Sequence, residues 1–241
     1  MTVAVASLVV ASCSSNEKSH SPSTPPAGAA SENANLDVKS FVDRVFSAVG
    51  AAHSFHVVGS GKDQNMPYSL DVHFGADGGS GFFTQGSARF DLAGHGADTY
   101  VKTSVANWKA TIGNKPDVEQ LAATLAPHWV RVPTSQSEFA QLLDYVDKDH
   151  FVQSYKTSAA SQSGPFTKGG TATVSGTAAT VYTDTKDGSK IYVAASGAPL
   201  LLKVESAPGD GGGLTISDYN KPFSPALPPS NDVVDYTSVV K

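Results

Sequence analysis

The sequence predicts an α+β fold in which helices pack against one face of a large antiparallel sheet. Three patterns lead to this prediction: a helical period near the start of the globular body, two long runs of short strands, and a helical stretch between them. Strands joined by short turns pair as antiparallel neighbours, and strand runs set apart from a block of helices are typical of α+β proteins. No Pro/Ser-rich linker divides the two runs, which favours one domain over residues 36–241; two separate domains are the alternative.

The first predicted element is a helix from about Leu36 to Ala52. Its apolar residues recur at spacings of three and four, which places them along one stripe of a helix. Asn35 or Asp37 can cap its start, and Gly50 lies near its end. The residues of the stripe are Val38, Phe41, Val42, Val45, Phe46 and Val49.

The first run of strands follows this helix. Its clearest member is Tyr68–Phe74, in which large apolar residues alternate with Ser69, Asp71 and His73, as in a half-buried strand. Turn residues separate the neighbouring strands. The strands predicted here are Ser54–Ser60, Tyr68–Phe74, Gly81–Gln85, Ala88–Ala93 and Asp98–Thr103.

The second run occupies the last third of the chain. In one of its strands, Leu200, Leu202 and Val204 are expected to share a face. The tail from Lys221 is rich in proline, which predicts an irregular wrap. The strands predicted in this run are Ala172–Ser175, Ala179–Asp184, Ser189–Ala194, Leu200–Glu205 and Leu214–Tyr219.

The middle of the chain returns to a helical period. One helix is predicted over Asp117–Leu125, and a second begins at the capping box Ser135–Glu138. Between them lies Trp129–Pro133, which we interpret as an apolar link. The apolar residues of the second helix are Phe139, Leu142, Leu143 and Val146.

The N-terminus contains the only cysteine, Cys13, directly after the apolar stretch Leu8–Ser12. This arrangement is typical of a lipobox, in which a signal peptidase cuts before the cysteine and acyl chains are attached to it. We expect residues 1–12 to be a signal peptide, truncated at its start because no basic residue precedes the apolar stretch. Residues 13–35, rich in Ser, Pro and Ala, are then a lipidated cysteine and flexible tether. A buried cysteine beside an apolar N-terminal helix is the alternative.

Composition and motifs exclude several function classes. A net charge of −5 gives no basic excess with which to attract nucleic acid. No hydrolase, phosphate-loop or metalloprotease motif is found, so we predict a protein that is not an enzyme and needs no cofactor. His56 and His73 can be cross-strand neighbours on the polar face, but no acidic or cysteine partner is at ligand spacing, so no metal site is predicted.

Several stretches resemble the LppX/LprG group of mycobacterial lipoproteins, which have the LolA-like lipoprotein-carrier fold. They are Ser54–Gly61, Asp98–Lys102 with the following Asn107-Trp108, Gly197–Leu200, and above all Leu214–Pro222. The resemblance implies a strongly curved sheet, a half-barrel, whose concave face is covered by helices. It also implies an apolar cavity that holds lipids or acylated glycolipids. No ligand-contact residue is a fixed motif of the group.

We therefore predict an extracytoplasmic lipoprotein, anchored to the cell membrane by acylated Cys13, that binds or carries a lipid or acylated glycolipid. The alternative is a lipid-anchored structural, sensing or partner-binding module with a filled core and no ligand. The sequence identifies no protein partner. The candidate cavity residues are the inward apolar residues of the strands: Phe55, Val57, Tyr68, Leu70, Val72, Phe74, Phe90, Leu92, Ile191, Val193, Leu200, Leu202, Val204 and Ile216.

Overall fold

The structure is a computed structural model that describes residues 41–63 and 65–240. These residues form one curved sheet of twelve strands that does not close into a barrel, with helices packed against it. The predicted α+β class is confirmed. The predicted signal peptide, Cys13 and the tether lie outside the described residues, as does the start of the first predicted helix. Within the described part of the chain, no helix has the length and apolar character needed to cross a membrane.

The strands fall into two runs, as predicted, with additional members in the middle and at the C-terminus. The first run is β1 (Phe55–Asp63), β2 (Met66–Gly75), β3 (Gly78–Gln85), β4 (Ala88–His95) and β5 (Asp98–Thr103). The second is β7 (Phe166–Val174), β8 (Thr177–Asp184), β9 (Lys190–Ala194), β10 (Leu201–Glu205) and β11 (Gly213–Ser217). The additional strands are β6 (Trp129–Val132) and β12 (Val233–Asp235).

The α-helices lie before, between and after these runs. They are α1 (Phe41–Ala51), α2 (Val105–Ile112), α3 (Val118–Leu125), α4 (Leu143–Val146), α5 (Lys148–Gln162) and α6 (Tyr236–Val239). The apolar stripe predicted for α1 is confirmed for its described residues, since Phe41, Val45, Phe46 and Val49 are buried.

The strand order is β12-β6-β5-β4-β3-β2-β1-β11-β10-β9-β8-β7. The two runs meet where β1 pairs with β11, so the first and second halves of the chain form one continuous sheet. Every neighbouring pair is antiparallel except β12 and β6, which run parallel. The sheet is therefore mixed at one edge, where the sequence predicts a purely antiparallel one.

One row of directly paired residues crosses most of the sheet: Ile216, Val57, Val72, Gly81, Leu92, Val101 and Val130. Directly opposite residues point to the same side of a sheet. The two main apolar clusters, one containing Val57 and the other Leu92, therefore lie on the same face. We call this the inner face and the opposite one the outer face.

Helices α1 and α5 cover the inner face over β1, β2 and β9–β11, around Phe55, Phe74 and Phe151. Helices α2, α3 and α6 cover it over β4–β6, around the fully buried Trp108. Short α4 packs between these groups, against β3 and β4. A Cβ at Gly94 would lie 2.7 Å from the Val146 side chain, so glycine is what lets α4 come this close to the sheet.

The C-terminal segment wraps around the molecule. Residues 221–229, which we call the C-terminal strap, have no regular structure and run across the outer face. Phe223 stacks on His73, and the Ala226 amide donates to Ser80 Oγ at 3.1 Å. The chain then forms β12 at the sheet edge and buries Tyr236 in the inner face. The predicted irregular wrap is thus confirmed only up to residue 229.

The middle of the chain differs most from the prediction. Trp129–Pro133 is not a link, because Trp129–Val132 forms β6, with Val130 and Val132 buried against β5. The helix expected after Ser135–Glu138 is reduced to a 3-10 turn and the single turn of α4. Asp147 then adopts an extended conformation and its side chain caps α5, a helix that the sequence analysis does not predict.

Candidate functional site

A cavity of about 360 Å³ lies on the inner face between α1, α5 and the sheet. Helix α1 contributes Phe41, Val42, Val45 and Phe46. The sheet contributes apolar residues from five strands: Tyr68, Leu70, Phe83, Ile191, Leu201, Val204 and Leu214. Most of the wall is therefore hydrocarbon or aromatic ring.

Small residues on α5 contribute to the space, together with Gly59 of β1, which pairs with the cavity-lining Leu70 and Leu214. Phe151 and Tyr155 on this helix are large and stack on one another with ring centroids 4.5 Å apart. One turn later the same face carries Ser158 and Ala159, which line the cavity. Side chains of this size cannot reach the sheet, so the C-terminal half of α5 leaves a gap that the N-terminal half fills.

One end of the cavity is polar. Lys62 and the loop between β10 and β11, with Ser206 and Asp210, line it. Oδ2 of Asp210 is buried and has no hydrogen-bond partner among the described residues. The Glu205 carboxylate lies on the opposite face of β10 from Val204, where it accepts hydrogen bonds from Lys203 and from the Tyr192 hydroxyl, and the Lys203 bond in particular lowers its pKa. The charged residues of this end are thus Lys62 and Asp210.

Asp144 is the acidic residue of the cavity wall opposite the sheet. Ser154 Oγ donates to Asp144 Oδ2 at 3.1 Å. Burial raises the pKa of the Asp144 carboxyl, while the Ser154 hydrogen bond and the charge of His150 oppose that rise. Burial is also the main cause that raises the pKa of the Tyr155 hydroxyl, so this wall favours neutral groups.

The predicted cavity residues divide into several groups in the structure. Four of them, Tyr68, Leu70, Ile191 and Val204, line the cavity. Another group lies in the same apolar cluster but is packed by protein atoms: Phe55, Val57, Val72, Phe74, Val193 and Ile216. Their burial agrees with the inward orientation predicted for them, and their role in lipid binding stays a prediction.

Two further pairs lie elsewhere. Phe90 and Leu92 face inward but belong to the packed cluster around Trp108. Leu200 and Leu202 were expected to share a face with Val204, and this is wrong. The pairing of β10 with β9 shifts register between Leu201 and Lys203, so Leu201 joins Val204 on the inner face. Leu200 and Leu202 lie in a small cluster with Ala179 and Ala194 instead.

The candidate residues from the sequence do not include the helical half of the wall. The stripe of α1 is predicted to be apolar but is not assigned to the cavity. Helix α5 is not predicted, because few large apolar residues follow Tyr155 in its sequence. The sequence signal for the start of α5 is Asp147. It lies three residues before His150 and accepts a hydrogen bond from the His150 amide.

The outer face holds a second group of chemically active side chains. His56 on β1 pairs directly with His73 on β2, as predicted, and their rings stack at 3.6 Å between centroids. His56 Nε2 lies 2.7 Å from Asp71 Oδ1. The expectation that no acidic residue accompanies these histidines is therefore wrong, because Asp71 lies two residues before His73 on the same strand face. Burial, then His56, lowers the pKa of His73, against the charges of Asp71 and Asp218.

No protein-family model matches the chain, and no curated protein matches it significantly. Among solved structures, LprF from Mycobacterium bovis, of the family that the sequence resembles, is similar with a TM-score of 0.46 and 14% identity, over 78% of this chain and 94% of that one. An uncharacterized conserved protein from Thermus thermophilus has a TM-score of 0.38 and 11% identity, over 82% of this chain and 98% of that one. MucB has a TM-score of 0.34 and 14% identity, over 80% of this chain and 61% of that one.

Proposed function

We propose that this protein is a cell-envelope lipoprotein that binds one acyl chain of a lipid or acylated glycolipid in the cavity between α1, α5 and the sheet. The observation that carries the proposal is the cavity itself, which is lined mainly by the apolar side chains of Phe41, Leu70, Ile191 and their neighbours. Hydrocarbon needs no directional partner, so such a wall is sufficient to bind it.

Apolar burial supplies the energy for this binding. Each buried methylene is worth about 0.8 kcal/mol, so a sixteen-carbon chain contributes on the order of 10 kcal/mol before the cost of ordering it. The polar groups of the wall, such as Asp144, need not act on the ligand for it to bind. The protein binds its ligand without reacting with it.

The size of the cavity limits the ligand. Pockets for small molecules usually measure about 300–1,000 Å³, and about 360 Å³ lies at the lower end of that range. A single chain is therefore the preferred ligand, and a glycolipid with several chains would have to leave some of them outside. Lys62 and Asp210 at the polar end are suited to a headgroup that contains both hydroxyls and charge.

Anchoring completes the proposal. Acylation of Cys13 ties the chain to the membrane surface, and the tether allows the globular body to reach lipids beyond it. One acyl chain anchors weakly, whereas two or more hold a protein stably. Replacement of Cys13 by Ala is expected to move the protein from the membrane fraction to the soluble fraction; retention in the membrane fraction contradicts the anchor.

The cavity is tested by filling it. Ala159 lines the cavity from α5, and the next residue, Ala160, is exposed on the same helix. Ala159→Phe places a ring in the cavity, whereas Ala160→Phe adds the same ring outside it and serves as the matched control. Binding of the fluorescent fatty acid cis-parinaric acid to the unacylated Cys13→Ser chain is measured for each variant.

The proposal expects saturable binding by the parent chain and the Ala160→Phe variant, and at least a tenfold weaker affinity for Ala159→Phe, equivalent to about 1.4 kcal/mol. Equal affinities in all three proteins would place the fatty acid outside the cavity. Absence of binding to the parent chain would favour the alternative, a tethered module that binds no lipid.

A further inference from the structure

We propose that His56, His73 and Asp71 form a binding site for one divalent transition-metal ion on the outer face of the sheet. One nitrogen from each imidazole and one carboxylate oxygen lie within 4.8 Å of one another. The cluster is polar, whereas the proposed lipid cavity is mainly apolar, and the two lie on opposite faces of the sheet. It forms a separate site, independent of any acyl-chain ligand.

Strand geometry brings the three side chains together. His56 and His73 are directly opposite one another on the paired strands β1 and β2. Asp71 precedes His73 by two residues, so it points to the same face of β2 and lies diagonally across from His56. The β1–β2 pairing runs without a register shift from Phe55 to Asp63, and this fixes the backbone positions of the three ligands.

The three side chains already contact one another. The His73 ring stacks nearly parallel to the His56 ring at 3.6 Å and to the Phe223 ring of the C-terminal strap at 5.4 Å. His56 Nε2 lies at hydrogen-bond distance, 2.7 Å, from Asp71 Oδ1. Because parallel rings direct their nitrogen lone pairs in parallel, the rings turn out of this stack, and a metal ion replaces the hydrogen bond, when both histidines bind one ion.

The distances suit a small ion after minor adjustment. Zinc bonds of about 2.0–2.2 Å place ligand atoms about 3.4 Å apart around the ion, so rotations of the two rings and the carboxyl group are enough to close the site. The side chains of His56 and Asp71 are 19% and 44% exposed, which leaves room for water as the remaining ligand. A second carboxylate, Asp218, interacts electrostatically with both histidines and adds negative charge to the surroundings.

The donor set selects the class of metal. Two imidazoles and one carboxylate suit Zn²⁺, Cu²⁺ and Ni²⁺, whereas Ca²⁺ and Mg²⁺ prefer sets made only of oxygen. For a given set of such ligands, Cu²⁺ generally binds more tightly than Zn²⁺ or Ni²⁺. Zinc is the probe of choice because it has no redox chemistry of its own.

The test is a zinc titration of the full-length chain by calorimetry, after removal of metals with a chelator. All samples carry Cys13→Ser, because a free thiol would also bind zinc. The variants are His56→Gln, His73→Gln and the nearly isosteric Asp71→Asn. His128→Gln is the matched control, since His128 lies 3.0 Å from Asp232 in a similar His–Asp pair that, within the described part of the chain, belongs to no group of three possible metal ligands.

The proposal expects one zinc ion per chain and an affinity at least about tenfold weaker in each of the three variants, because loss of even an outer partner of a metal ligand commonly costs tenfold or more. The His128→Gln variant keeps the parent affinity. Circular dichroism and thermal melting of each variant without metal establish that it is folded. No saturable binding by the parent chain, or equal affinities for the parent and the folded Asp71→Asn variant, would overturn the site.

Discussion

The inner face of the sheet has a packed half, over β4, β5 and β6, and a cavity half, over β1, β2 and β9–β11. In the packed half, α2 and α3 turn large residues such as Trp108 and Leu125 onto the sheet, and both are almost completely buried. In the cavity half, the C-terminal part of α5 presents only the small residues Ser158 and Ala159 toward the sheet, and a gap of about 360 Å³ remains.

The row of paired residues that crosses the sheet does not explain this difference. The row from Ile216 through Val72 and Leu92 to Val130 is apolar and packed in both halves, apart from Gly81. The cavity lies beside this row, where Gly59 of β1 pairs with the cavity-lining Leu70 and Leu214 and adds no side chain to the wall. Empty space in this fold therefore results from small residues on both α5 and β1.

The largest effect is expected in the packed half, from removal of the side chain that fills it. Trp108→Ala should lower the free energy of unfolding by about 3–5 kcal/mol, because the surrounding residues cannot close a cavity of this size. Denaturant unfolding measures the change. A loss below about 1 kcal/mol would mean that the packed half tolerates empty space as the cavity half does.

The next effect is a difference in the free energy of unfolding between two Ala→Phe variants, one in each half. Ala122 on α3 is completely buried, so Ala122→Phe should lower the free energy of unfolding by about 1–3 kcal/mol through overpacking. Ala159→Phe places its ring in existing space and should change stability by less than about 1 kcal/mol. The two variants are compared by denaturant unfolding. Equal destabilisation would show that the space beside Ala159 is not open to a side chain.

The smallest effect is on the pH dependence of folding stability, which should have opposite signs for an aspartate in the cavity half and one in the packed half. Burial raises the pKa of Asp144 in the cavity half, so its ionised form destabilises the fold above its usual pKa of 3.8, and this penalty disappears as the pH falls. Asp144→Asn should therefore be more stable than the parent at neutral pH, with the gain lost in acid. Thermal melting across this pH range measures it.

Asp235, at the β12 edge of the packed half, provides the opposite case. Hydrogen bonds from the Thr237 hydroxyl and from Arg131 lower the pKa of its carboxyl, so the ionised form stabilises the fold above the usual pKa and the benefit is lost as the pH falls through the lowered value. Asp235→Asn should be less stable than the parent at neutral pH and similar to it in acid. The same sign for both variants would contradict this contrast.

Much of the sheet was predictable because its signal is local. Alternation identified Tyr68–Phe74 and most of the strands of both runs, and the inward orientation of Val57, Val72 and Ile216 followed from it. The exception, Leu202, results from a bulge, which adds one residue to the strand and reverses the faces that follow. Nothing in the alternating pattern of Leu200, Leu202 and Val204 reveals that extra residue.

The cavity was less predictable because it depends on the meeting of distant elements. Helix α5 is short of large apolar residues after Tyr155, and this weakens its helical period and leaves space between the helix and the sheet. Pairing of Trp129–Val132 with β5 and with the C-terminal β12 likewise depends on contacts far apart in sequence. The His56–Asp71–His73 group is predicted only in part. The sequence analysis predicts that His56 and His73 are cross-strand neighbours, but it does not include their diagonal neighbour Asp71.

The most direct test of lipid binding is native mass spectrometry of the purified, unacylated Cys13→Ser chain, followed by analysis of the organic extract of the same sample. We expect a population with the mass of one bound lipid, an extract that contains that lipid in near-equal amount to the protein, and loss of both signals in Ala159→Phe. A parent chain that carries no lipid, and acquires none when mixed with membrane extract, would show that the cavity does not bind lipid.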